Sequence, residues 1–553
     1  MVGGAPVRCP LIEGVGMDTD FATAWEAVSD AAPQSVAIVA GSTRVTYREF
    51  DERAARFASA LVAAGLVDGS KVALYLYNEP EYLIAQFGAF KVRCVPVNVN
   101  YRYLDDELAY LIDNSESEVL VFHSSLGDRV GRVRDRLPRL RLLVEVDDGG
   151  ERLEGATRFE ELIAGHDPHP RIGRSGRDLY MLYTGGTTGM PKGVMYHHGD
   201  FVNALYLGLG LSGLPVPASV SEIADHVAAA APRRMVSVPC CPLMHGTGMW
   251  VGAMPAHLNG GAVALLRSRS FDAHELWSLV ETEAVTHLVI VGDAFARPML
   301  RALEEAEQRG APFDVSSVVS IRSAGAMWSA EIKAGLTSRM DAVLVDGLGS
   351  TEGGSYGVTT TTKSQTVETA KFTLVLGTRV ITEDRRDVVP GSGALGLLAS
   401  ETAAFGYYKD PEKTARTFLE LDGRSYVITG DWASVEEDGS VTLLGRGSNC
   451  INSGGEKVFP EEVEEALKRH QAVEDCLVVG LPDERFGQRI VAVAGSNSLS
   501  PPSGEELRAW LKGQLSAYKI PREVIVVESV RRAPNGKADY GWAKETATRL
   551  TEV

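Results

Sequence analysis

The chain has 553 residues, 44% of them hydrophobic, which is enough for more than one core and predicts at least two domains. Its 55 basic and 73 acidic residues give a net charge of −18, which argues against nucleic-acid binding as a main role. No apolar run approaches the length of a membrane span, and the N-terminus lacks the basic-then-apolar plan of a signal peptide, so we expect a cytoplasmic protein without a transmembrane segment.

Short apolar runs alternate with helical segments along the chain. The β-branched runs Lys71 to Tyr77, Thr286 to Val291 and Ala342 to Asp346 predict strands. This alternation predicts α/β architecture, with parallel sheets covered by helices. The segment Gly213 to Pro232 is expected to be a surface insertion in this pattern.

The segment Tyr183 to Val194 reads YTGGTTGMPKGV and follows the apolar run LYML, which suits a buried strand. Its glycines allow close backbone approach to a ligand, and its threonine hydroxyls and Lys192 suit phosphate oxygens. The pattern favours a phosphate-binding loop over a mobile surface loop. It does not match G-x-x-x-x-G-K-[ST], so a P-loop NTPase is disfavoured.

The last hundred or so residues carry their own strand-helix pattern. The Gly-rich stretch Leu444 to Asn449 follows a hairpin signal, EEDGSVTLL, and marks the best domain boundary. Beyond it, Pro460 is expected to open an acidic helix. The six cysteines form neither a metal-binding nor a disulfide pattern, which predicts reduced thiols and no structural zinc.

A series of motifs resembles, in order, the adenylate-forming superfamily of acyl-CoA synthetases, nonribosomal-peptide adenylation domains and luciferases. Before the phosphate loop, Val45 to Leu61 resembles the usual opening strand and helix of this superfamily. The motifs after the phosphate loop are PLMHGTG (Pro242 to Gly248), SAGAMW (Ser323 to Trp328), GLGSTEGG (Gly347 to Gly354), GYYKDPEKTARTF (Gly406 to Phe418), TGD (Thr429 to Asp431), LLGRGSNCINSGGEKVFPEEVEE (Leu443 to Glu465) and APNGKADY (Ala533 to Tyr540). Together with VGDAFARPML (Val291 to Leu300), several of them resemble the actinobacterial-type acyl-CoA synthetases that activate fatty acids, steroid side chains and other bulky carboxylates.

The resemblance implies a large N-terminal adenylation domain of parallel-rich sheets, residues 1–445, and a small mobile α+β C-terminal domain, residues 446–553. The hinge is expected at residues 446–449, where Ser448 replaces the usual Asp or Lys. The segment LLASETAAF before Gly406 also departs from the R-G-x-x-P-like segment common in the branch.

In this superfamily a carboxylate attacks the α-phosphate of ATP, so cations and N–H dipoles must offset the repulsion between two anions. Lys537 corresponds to the lysine that bridges the carboxylate and the phosphate, and Glu352 to the carboxylate that holds Mg²⁺, with Thr188 as a second candidate ligand. Thr184 and Lys192 complete the predicted catalytic set, together with Lys537 and Glu352.

Asp431 matches the carboxylate that accepts both ribose hydroxyls, and Arg446 supports the ribose from the hinge. Leu348 stands where related motifs stack an aromatic ring on adenine, a loss of about 0.5–1.5 kcal/mol of ring-ring energy. The residues that the resemblance assigns to ATP and AMP are Thr184, Gly185, Gly186, Thr187, Thr188, Gly189, Lys192, Ser323, Ala324, Gly325, Ala326, Asp346, Gly347, Leu348, Gly349, Ser350, Thr351, Glu352, Asp431, Arg446 and Lys537.

The second half-reaction is assigned to the C-terminal domain, which rotates and forms a thiol tunnel around an S-G-G motif. The residues that the resemblance assigns to the CoA arm are Ser453, Gly454, Gly455 and Glu456. Those that it assigns to the acid pocket are His245, Val291, Gly292, Phe295 and Gly325. Taken alone, the S-G-G segment is also compatible with a simple glycine hairpin.

The resemblance predicts an ATP- and Mg²⁺-dependent acid:CoA ligase, with CoA as co-substrate and a fatty, steroidal or aryl carboxylate as the acid. The alternative is an adenylate-forming enzyme without CoA, which forms an amide or activates nitrite for diazotisation of an aryl amine. A non-catalytic homologue is disfavoured because Lys537, Glu352, Asp431 and Lys192 are intact. The oligomeric state, a homodimer included, is left open.

Overall fold

The computed structural model describes residues 16–186, 189–364, 370–446, 449–453, 456–483, 487–498, 500–512, 514–515, 517–533 and 536–551. Four sheets organise this part of the chain. Among the described residues, no helix combines the length and apolar character needed to cross a membrane.

The first half of the chain contains most of the helices. In chain order its elements are α1 (Phe21–Ala31), β1 (Val36–Ala40), β2 (Thr43–Thr46), α2 (Tyr47–Ala63), β3 (Lys71–Tyr75), α3 (Pro80–Lys91), β4 (Val95–Asn98), α4 (Asp105–Ser115), β5 (Ser117–His123), α5 (Gly127–Val133), β6 (Leu142–Val146), β7 (Thr157–Arg158), α6 (Phe159–Ala164), β8 (Leu179–Gly186), β9 (Gly189–His197), α7 (His198–Gly210), α8 (Ile223–Ala230), β10 (Val236–Pro239), α9 (Met254–Leu258) and β11 (Ala262–Leu265). The predicted opening strand and helix are confirmed as β2 and α2, and Thr46 and Glu49 form a capping box at the start of α2.

The next elements alternate strand and helix and carry much of the predicted site. They are α10 (Ala273–Glu283), β12 (His287–Ile290), α11 (Asp293–Gln308), β13 (Ser320–Ala324), α12 (Ala330–Arg339), β14 (Val343–Ser350) and β15 (Gly354–Thr361). Strands β1, β11, β10, β12, β13 and β14 are parallel neighbours in one sheet, and β4, β3, β5, β6 and β7 form a second parallel sheet. The predicted parallel-rich α/β fold is therefore confirmed for this part of the chain.

Residues 371–446 differ from that expectation because only one helix interrupts their strands. They form β16 (Lys371–Leu374), β17 (Thr378–Ile381), β18 (Leu395–Glu401), β19 (Ala404–Tyr407), α13 (Pro411–Thr417), β20 (Phe418–Leu421), β21 (Arg424–Val427), β22 (Asp431–Val435) and β23 (Val441–Arg446). Apart from β19, which joins β9, these strands extend the large sheet in antiparallel pairs. Short connections permit antiparallel pairing, whereas parallel pairing needs a long crossover.

The C-terminal region has its own five-stranded sheet and its own hydrophobic clusters. Its elements are β24 (Ile451–Ser453), β25 (Glu456–Val458), α14 (Pro460–Lys468), β26 (Asp475–Asp483), β27 (Gly487–Gly495), α15 (Gly504–Leu511), β28 (Glu523–Val527) and α16 (Tyr540–Thr551). Pro460 occupies the first turn of α14, as predicted. A separate core of this kind identifies a C-terminal domain.

One sequence prediction is wrong in part. The expected surface insertion, Gly213 to Pro232, contains α8, whose Ile223 and Val227 are buried in the main core. These two residues and Ala230 recur at helical spacing, which gives α8 an apolar face. That face packs on α1, so this part of the segment belongs to the body of the domain.

Candidate active site

The phosphate-loop motif forms the end of a β-hairpin. Strands β8 and β9 are antiparallel, with Thr184 opposite Lys192 and Gly186 opposite Gly189. The sequence predicts a loop for the whole motif, but the apolar residues on both sides extend the strand ladder into it. Thr187 and Thr188, at the tip, lie outside the described residues.

The Lys192 ammonium is held at the edge of this hairpin. Its Nζ lies 2.6 Å from Oδ2 of Asp410 and 5.9 Å from the centroid of the Tyr407 ring. Asp410 also caps α13, because its Oδ1 accepts a hydrogen bond from the Lys413 backbone N–H at 3.0 Å. The hydrogen bond from Lys192 lowers the pKa of Asp410. Since the Lys192 side chain is 33% exposed, the cation stays within reach of an incoming phosphate.

Glu352 lies in the turn between β14 and β15, and three side chains fix that turn. The Tyr407 hydroxyl donates to Oε1 of Glu352 at 2.8 Å, and the Thr402 hydroxyl donates to the Glu352 carbonyl at 2.6 Å. The Tyr196 hydroxyl donates to the carbonyl of Thr351. Tyr407 therefore contacts both charged groups predicted to act on the triphosphate, Glu352 and Lys192.

The carboxylate of Glu352 suits Mg²⁺, which prefers hard oxygen ligands. Within the described residues, no group of three or more His, Cys, Asp or Glu side chains could hold a metal ion. Mg²⁺ in nucleotide sites uses one or two carboxylates together with water and the substrate phosphates, so a single glutamate fits this ion.

The predicted adenine slot lies at the carboxyl ends of β13 and β14, where open α/β sheets bind ligands. Ser323 is paired with Asp346, and Ala324 with Gly347. The Asp346 side chain is buried and accepts a hydrogen bond from Lys333 Nζ at 2.9 Å. Burial raises the pKa of Asp346, and the Lys333 charge opposes that change. The carboxylate of Asp346 is thus engaged inside the domain.

Leu348 follows on β14 and is half-buried. It packs against the cluster around Tyr356, Val380 and Leu398 in the antiparallel part of the large sheet. An aliphatic side chain at this position therefore has packing partners of its own.

The predicted ribose site lies where β22 begins and β23 ends. Asp431 is the register partner of Arg446, whose side chain lies outside the described set. The Thr429 hydroxyl donates to the Asp431 carboxylate and is 3.1 Å from the Tyr356 hydroxyl, which in turn is 2.6 Å from the Ser350 hydroxyl. This chain of hydroxyls connects Asp431 to the turn that carries Glu352.

The predicted acid pocket is built around the start of α11. The Gly292 N–H donates to the Ser323 hydroxyl at 2.9 Å, and φ at Gly292 is +57°, a value that favours glycine. The buried Phe295 ring packs edge-on against Phe271, with 4.9 Å between the centroids. Val291 is buried beside them.

His245 lies in the turn before a π-helical segment, Thr247–Ala253. Its Nε2 is buried and has no hydrogen-bond partner among the groups that the structure describes. Burial, with a smaller contribution from the charge of Lys537, lowers the pKa of His245 to about 3. The imidazole is therefore neutral near pH 7.

Lys537 reaches this pocket from the C-terminal domain on a tight turn. The Gly536 N–H donates to the Ala533 carbonyl at 2.8 Å, and the Ala533 N–H to the Lys537 carbonyl at 2.9 Å. A Cβ at Gly536 would lie 3.2 Å from the Phe295 ring, and a Cβ at Gly325 would lie 3.3 Å from Lys537 Cε. The structure thus brings Lys537 between the adenine slot and the acid pocket.

The residues predicted for the CoA arm lie apart, in the C-terminal sheet. Ser453 on β24 is paired with Glu456 on β25 and with Gly487 on β27. Gly454 and Gly455 lie outside the described residues, as do Ser448, the predicted hinge residue, and the side chain of Glu456. The simple-hairpin alternative for this segment therefore stays open.

Sequence reasoning missed the roles of Tyr407 and Asp410, which contact Glu352 and Lys192. Both stand in the motif GYYKDPEKTARTF, so the motif itself was a signal. The hydroxyl chain through Tyr356 had no such signal, because Tyr356 and Thr429 are 73 positions apart.

Comparison with known proteins agrees with this geometry. Residues 25–408 match the family described as AMP-binding enzyme, and residues 462–537 match the AMP-binding enzyme C-terminal domain. A medium/long-chain-fatty-acid--CoA/3-oxocholest-4-en-26-oate--CoA ligase of Mycolicibacterium smegmatis is 40% identical over 538 residues, 96% of each chain. A 3-oxocholest-4-en-26-oate--CoA ligase of Rhodococcus rhodochrous is 38% identical over 537 residues, again 96% of each chain.

Solved structures share the fold at lower identity. The anthranilate CoA ligase AuaEII in complex with anthranoyl-AMP has a TM-score of 0.82 at 21% identity and covers 97% of this chain and 99% of its own. The amide bond synthetase McbA from Marinactinospora thermotolerans has a TM-score of 0.74 at 22% identity, with 95% and 99% covered. The family matches and the full-length relatives lead to one conclusion: the chain belongs to the AMP-binding enzyme family.

Proposed function

We propose that this protein is an AMP-forming acid:CoA ligase that activates a bulky apolar carboxylic acid. The observation that carries the proposal is the position of Lys537, beside Gly325 and close to Phe295 and His245. A cation there can approach a carboxylate and an α-phosphate together. The relatives at 38–40% identity are named as CoA ligases for medium- and long-chain fatty acids and for 3-oxocholest-4-en-26-oate.

In the first half-reaction, a carboxylate oxygen of the acid attacks the α-phosphorus of ATP. The bond from that phosphorus to the bridging oxygen breaks, and pyrophosphate leaves with the electron pair. Lys537 offsets the charge of the two anions as they approach, and Lys192 and Thr184 hold the departing phosphates. Bound Mg²⁺ would neutralise phosphate charge, with Glu352 as its protein ligand.

Asp431 fixes the ribose in this scheme, since a carboxylate can accept from both ribose hydroxyls. Arg446 supports it from the adjacent strand. The backbone of residues 323–326 and 346–349 forms the edge against adenine. The motifs support these three assignments, and so does the position of these residues at the ends of strands in one sheet.

In the second half-reaction, the CoA thiol gives its proton to solvent, and its sulfur attacks the acyl carbon. The bond from that carbon to the AMP oxygen breaks, which gives the thioester and AMP. We propose that the C-terminal domain, residues 446–553, rotates about residues 446–449 between the two steps. This rotation moves Lys537 out of the acid pocket and brings the segment from Ser453 to Glu456 to the CoA arm.

An apolar acid is supported by the residues around the predicted pocket, where Val291, Phe295 and Phe271 are packed together.

The cytoplasmic location predicted from the sequence stays part of this proposal. It is supported by free thiols at four described cysteines, Cys94, Cys240, Cys241 and Cys476.

The test is pyrophosphate and AMP release over a panel of acids, with and without CoA. The panel contains medium- and long-chain fatty acids, 3-oxocholest-4-en-26-oate, aryl acids, and nitrite with an aryl amine. We expect pyrophosphate release with the apolar acids and AMP release that depends on CoA. Amine-dependent AMP release that ignores CoA would contradict the proposal and support the amide-forming or diazotising alternative.

A further inference from the structure

The turn that carries Lys537 rests on a neighbouring arginine that the proposed mechanism does not use. Arg532 Nη1 donates to the carbonyl of Gly536 at 3.1 Å. The backbones of Arg532 and Ala538 also form an isolated antiparallel bridge, one on each side of the turn. Arg532 therefore contacts the residue directly before Lys537 and closes the base of the turn.

Arg532 is itself fixed by the core of the C-terminal domain. Its Nη2 donates to Oδ1 of Asp475 at 2.6 Å, and its Nε donates to Oδ2 of the same carboxylate. Asp475 is the first residue of β26 and is also 3.3 Å from Lys468 Nζ. Burial acts to raise the pKa of Asp475, but the charges of Lys468 and Arg532 outweigh it and hold that pKa below its ordinary value. The carboxylate is thus ionised and binds the guanidinium at two points.

These contacts use the shape of the guanidinium group as well as its charge. Two nitrogens face one carboxylate, and a third reaches a carbonyl on the Lys537 turn. A planar fork of five N–H donors can do this, whereas the ammonium of lysine is a compact point charge. The bidentate pair fixes the orientation of the guanidinium, and through it the carbonyl of Gly536.

We propose that Arg532, held by Asp475, is a positioning residue for Lys537 in adenylation. This inference rests on the proposed function, in which Lys537 acts in the first half-reaction only. The turn packs against Phe295 and the carbonyl of Val291, so a displaced Gly536 would also displace the lysine beside it. A displacement of 1 Å in a reacting arrangement can cost about 100-fold in rate.

A purely structural role for Arg532 predicts a different result. Arg532 and Lys468 share Asp475, so loss of the arginine could simply destabilise the C-terminal domain. Both half-reactions need that domain, so destabilisation would reduce both together. A positioning role would reduce adenylation alone, and only while Lys537 is present.

The test combines Arg532→Lys and Lys537→Ala in a double-mutant cycle measured by ATP–pyrophosphate exchange. Thioester formation from supplied acyl-AMP and CoA is measured in parallel. The matched control is Arg531→Lys, because the Arg531 side chain is 69% exposed and pairs with Asp539 at 3.5 Å.

We expect Arg532→Lys to slow exchange by roughly 10-fold to 100-fold and to change thioester formation by less than about twofold. In the Lys537→Ala background it should cause no further loss, and Arg531→Lys should match the wild type. The inference would be overturned if Arg532→Lys left the exchange rate unchanged or reduced both half-reactions equally. It would also be overturned if the losses of the two single variants multiplied in the double variant. A wild-type protein that exchanges pyrophosphate but ignores CoA would contradict the ligase proposal alone, because the cycle is read in the exchange reaction.

Discussion

Two parts of the proposed site come from separate cores. One is the predicted nucleotide edge, which comprises residues 323–326, residues 346–352 and Asp431, and the other is the turn that carries Lys537. The nucleotide edge belongs to the large sheet, where its parts are tied together by Gly292 to Ser323, by Lys333 to Asp346 and by the hydroxyls of Ser350, Tyr356 and Thr429. Lys537 is carried by one turn of a domain with its own sheet and clusters.

Because the two parts of the site belong to separate cores, one chain can carry out two half-reactions. The contacts that hold the nucleotide edge lie within one domain, so moving the C-terminal domain need not disturb them. The close approaches of Lys537 to Gly325 and of Gly536 to Phe295 cross between domains, so the proposed rotation would remove them. Rigid-body motion about a few hinge residues is an established way to rearrange a site.

The largest loss of activity is expected at Lys537, which the C-terminal domain contributes to the proposed site. Lys537→Ala should reduce ATP–pyrophosphate exchange by at least about 100-fold, since loss of one group that stabilises transition-state charge has this effect. Thioester formation from supplied acyl-AMP should continue at nearly the normal rate. The control is Lys544→Ala on the exposed face of α16. Equal loss in both half-reactions would contradict the division between domains.

The second prediction concerns Asp431, which lies in the large sheet at the start of β22. Asp431→Ala removes an acceptor of two charge-assisted hydrogen bonds, each about 1.5–3 kcal/mol, so the apparent KM for ATP should rise at least about tenfold. Steady-state kinetics at saturating acid measures it. Asp438→Ala, which removes an exposed carboxylate from the turn of the same hairpin, should leave the KM unchanged. An unaltered ATP dependence in Asp431→Ala would place the nucleotide elsewhere.

A smaller effect tests the contact between Tyr407 and Glu352. Tyr407→Phe removes one hydrogen bond to a carboxylate oxygen, Oε1 of Glu352, and about 1.5 kcal/mol for such a bond corresponds to roughly tenfold. We expect a higher Mg²⁺ requirement for pyrophosphate release. The neighbouring Tyr408 donates instead to Glu116 at 2.6 Å, so Tyr408→Phe is the matched control. The same Mg²⁺ dependence in both variants would show that Tyr407 does not position Glu352.

The smallest effect concerns a contact between the domains. Arg301 on α11 forms an ion pair with Glu474 in the C-terminal domain, and their side chains are 48% and 28% exposed. Exposed pairs contribute about 0.2–1 kcal/mol, so Arg301→Ala should slow exchange by no more than about fivefold, and less at high salt. Arg309→Ala, at the exposed end of α11, should have no effect. A loss of exchange rate well above about fivefold in Arg301→Ala would contradict a minor role for this ion pair.

The sequence predicted the parts of the fold that depend on local patterns. Apolar runs and turn residues located β3, β12 and α14, while the series of motifs located β2 and α2 and indicated the family. The structure places Lys537, Gly325 and Phe295 together, while their roles stay predictions.

Contacts between distant segments were beyond such reasoning. Tyr407 meets Glu352 across 55 positions, and α8 packs on α1 across about 200. These pairs depend on how sheets and helices assemble, which local periodicity does not encode. The engagement of Asp346 by Lys333 likewise required the positions of α12 and β14.

We propose that the arrangement with Lys537 beside Gly325 carries out adenylation and that thioester formation needs another arrangement of the two domains. A covalent link between residues 301 and 474 tests it directly, because Arg301 and Glu474 bridge the two domains. The variant is Arg301→Cys/Glu474→Cys, in a background with Cys9→Ser and Cys450→Ser. A short bis-maleimide is preferable to a disulfide, which requires Cα atoms about 4.4–6.8 Å apart.

After linkage, one turnover with ATP and acid is measured, first without CoA and then with it. We expect the linked protein to form acyl-AMP as fast as the unlinked protein but to produce almost no acyl-CoA. Acyl-CoA formation at the unlinked rate would contradict this proposal.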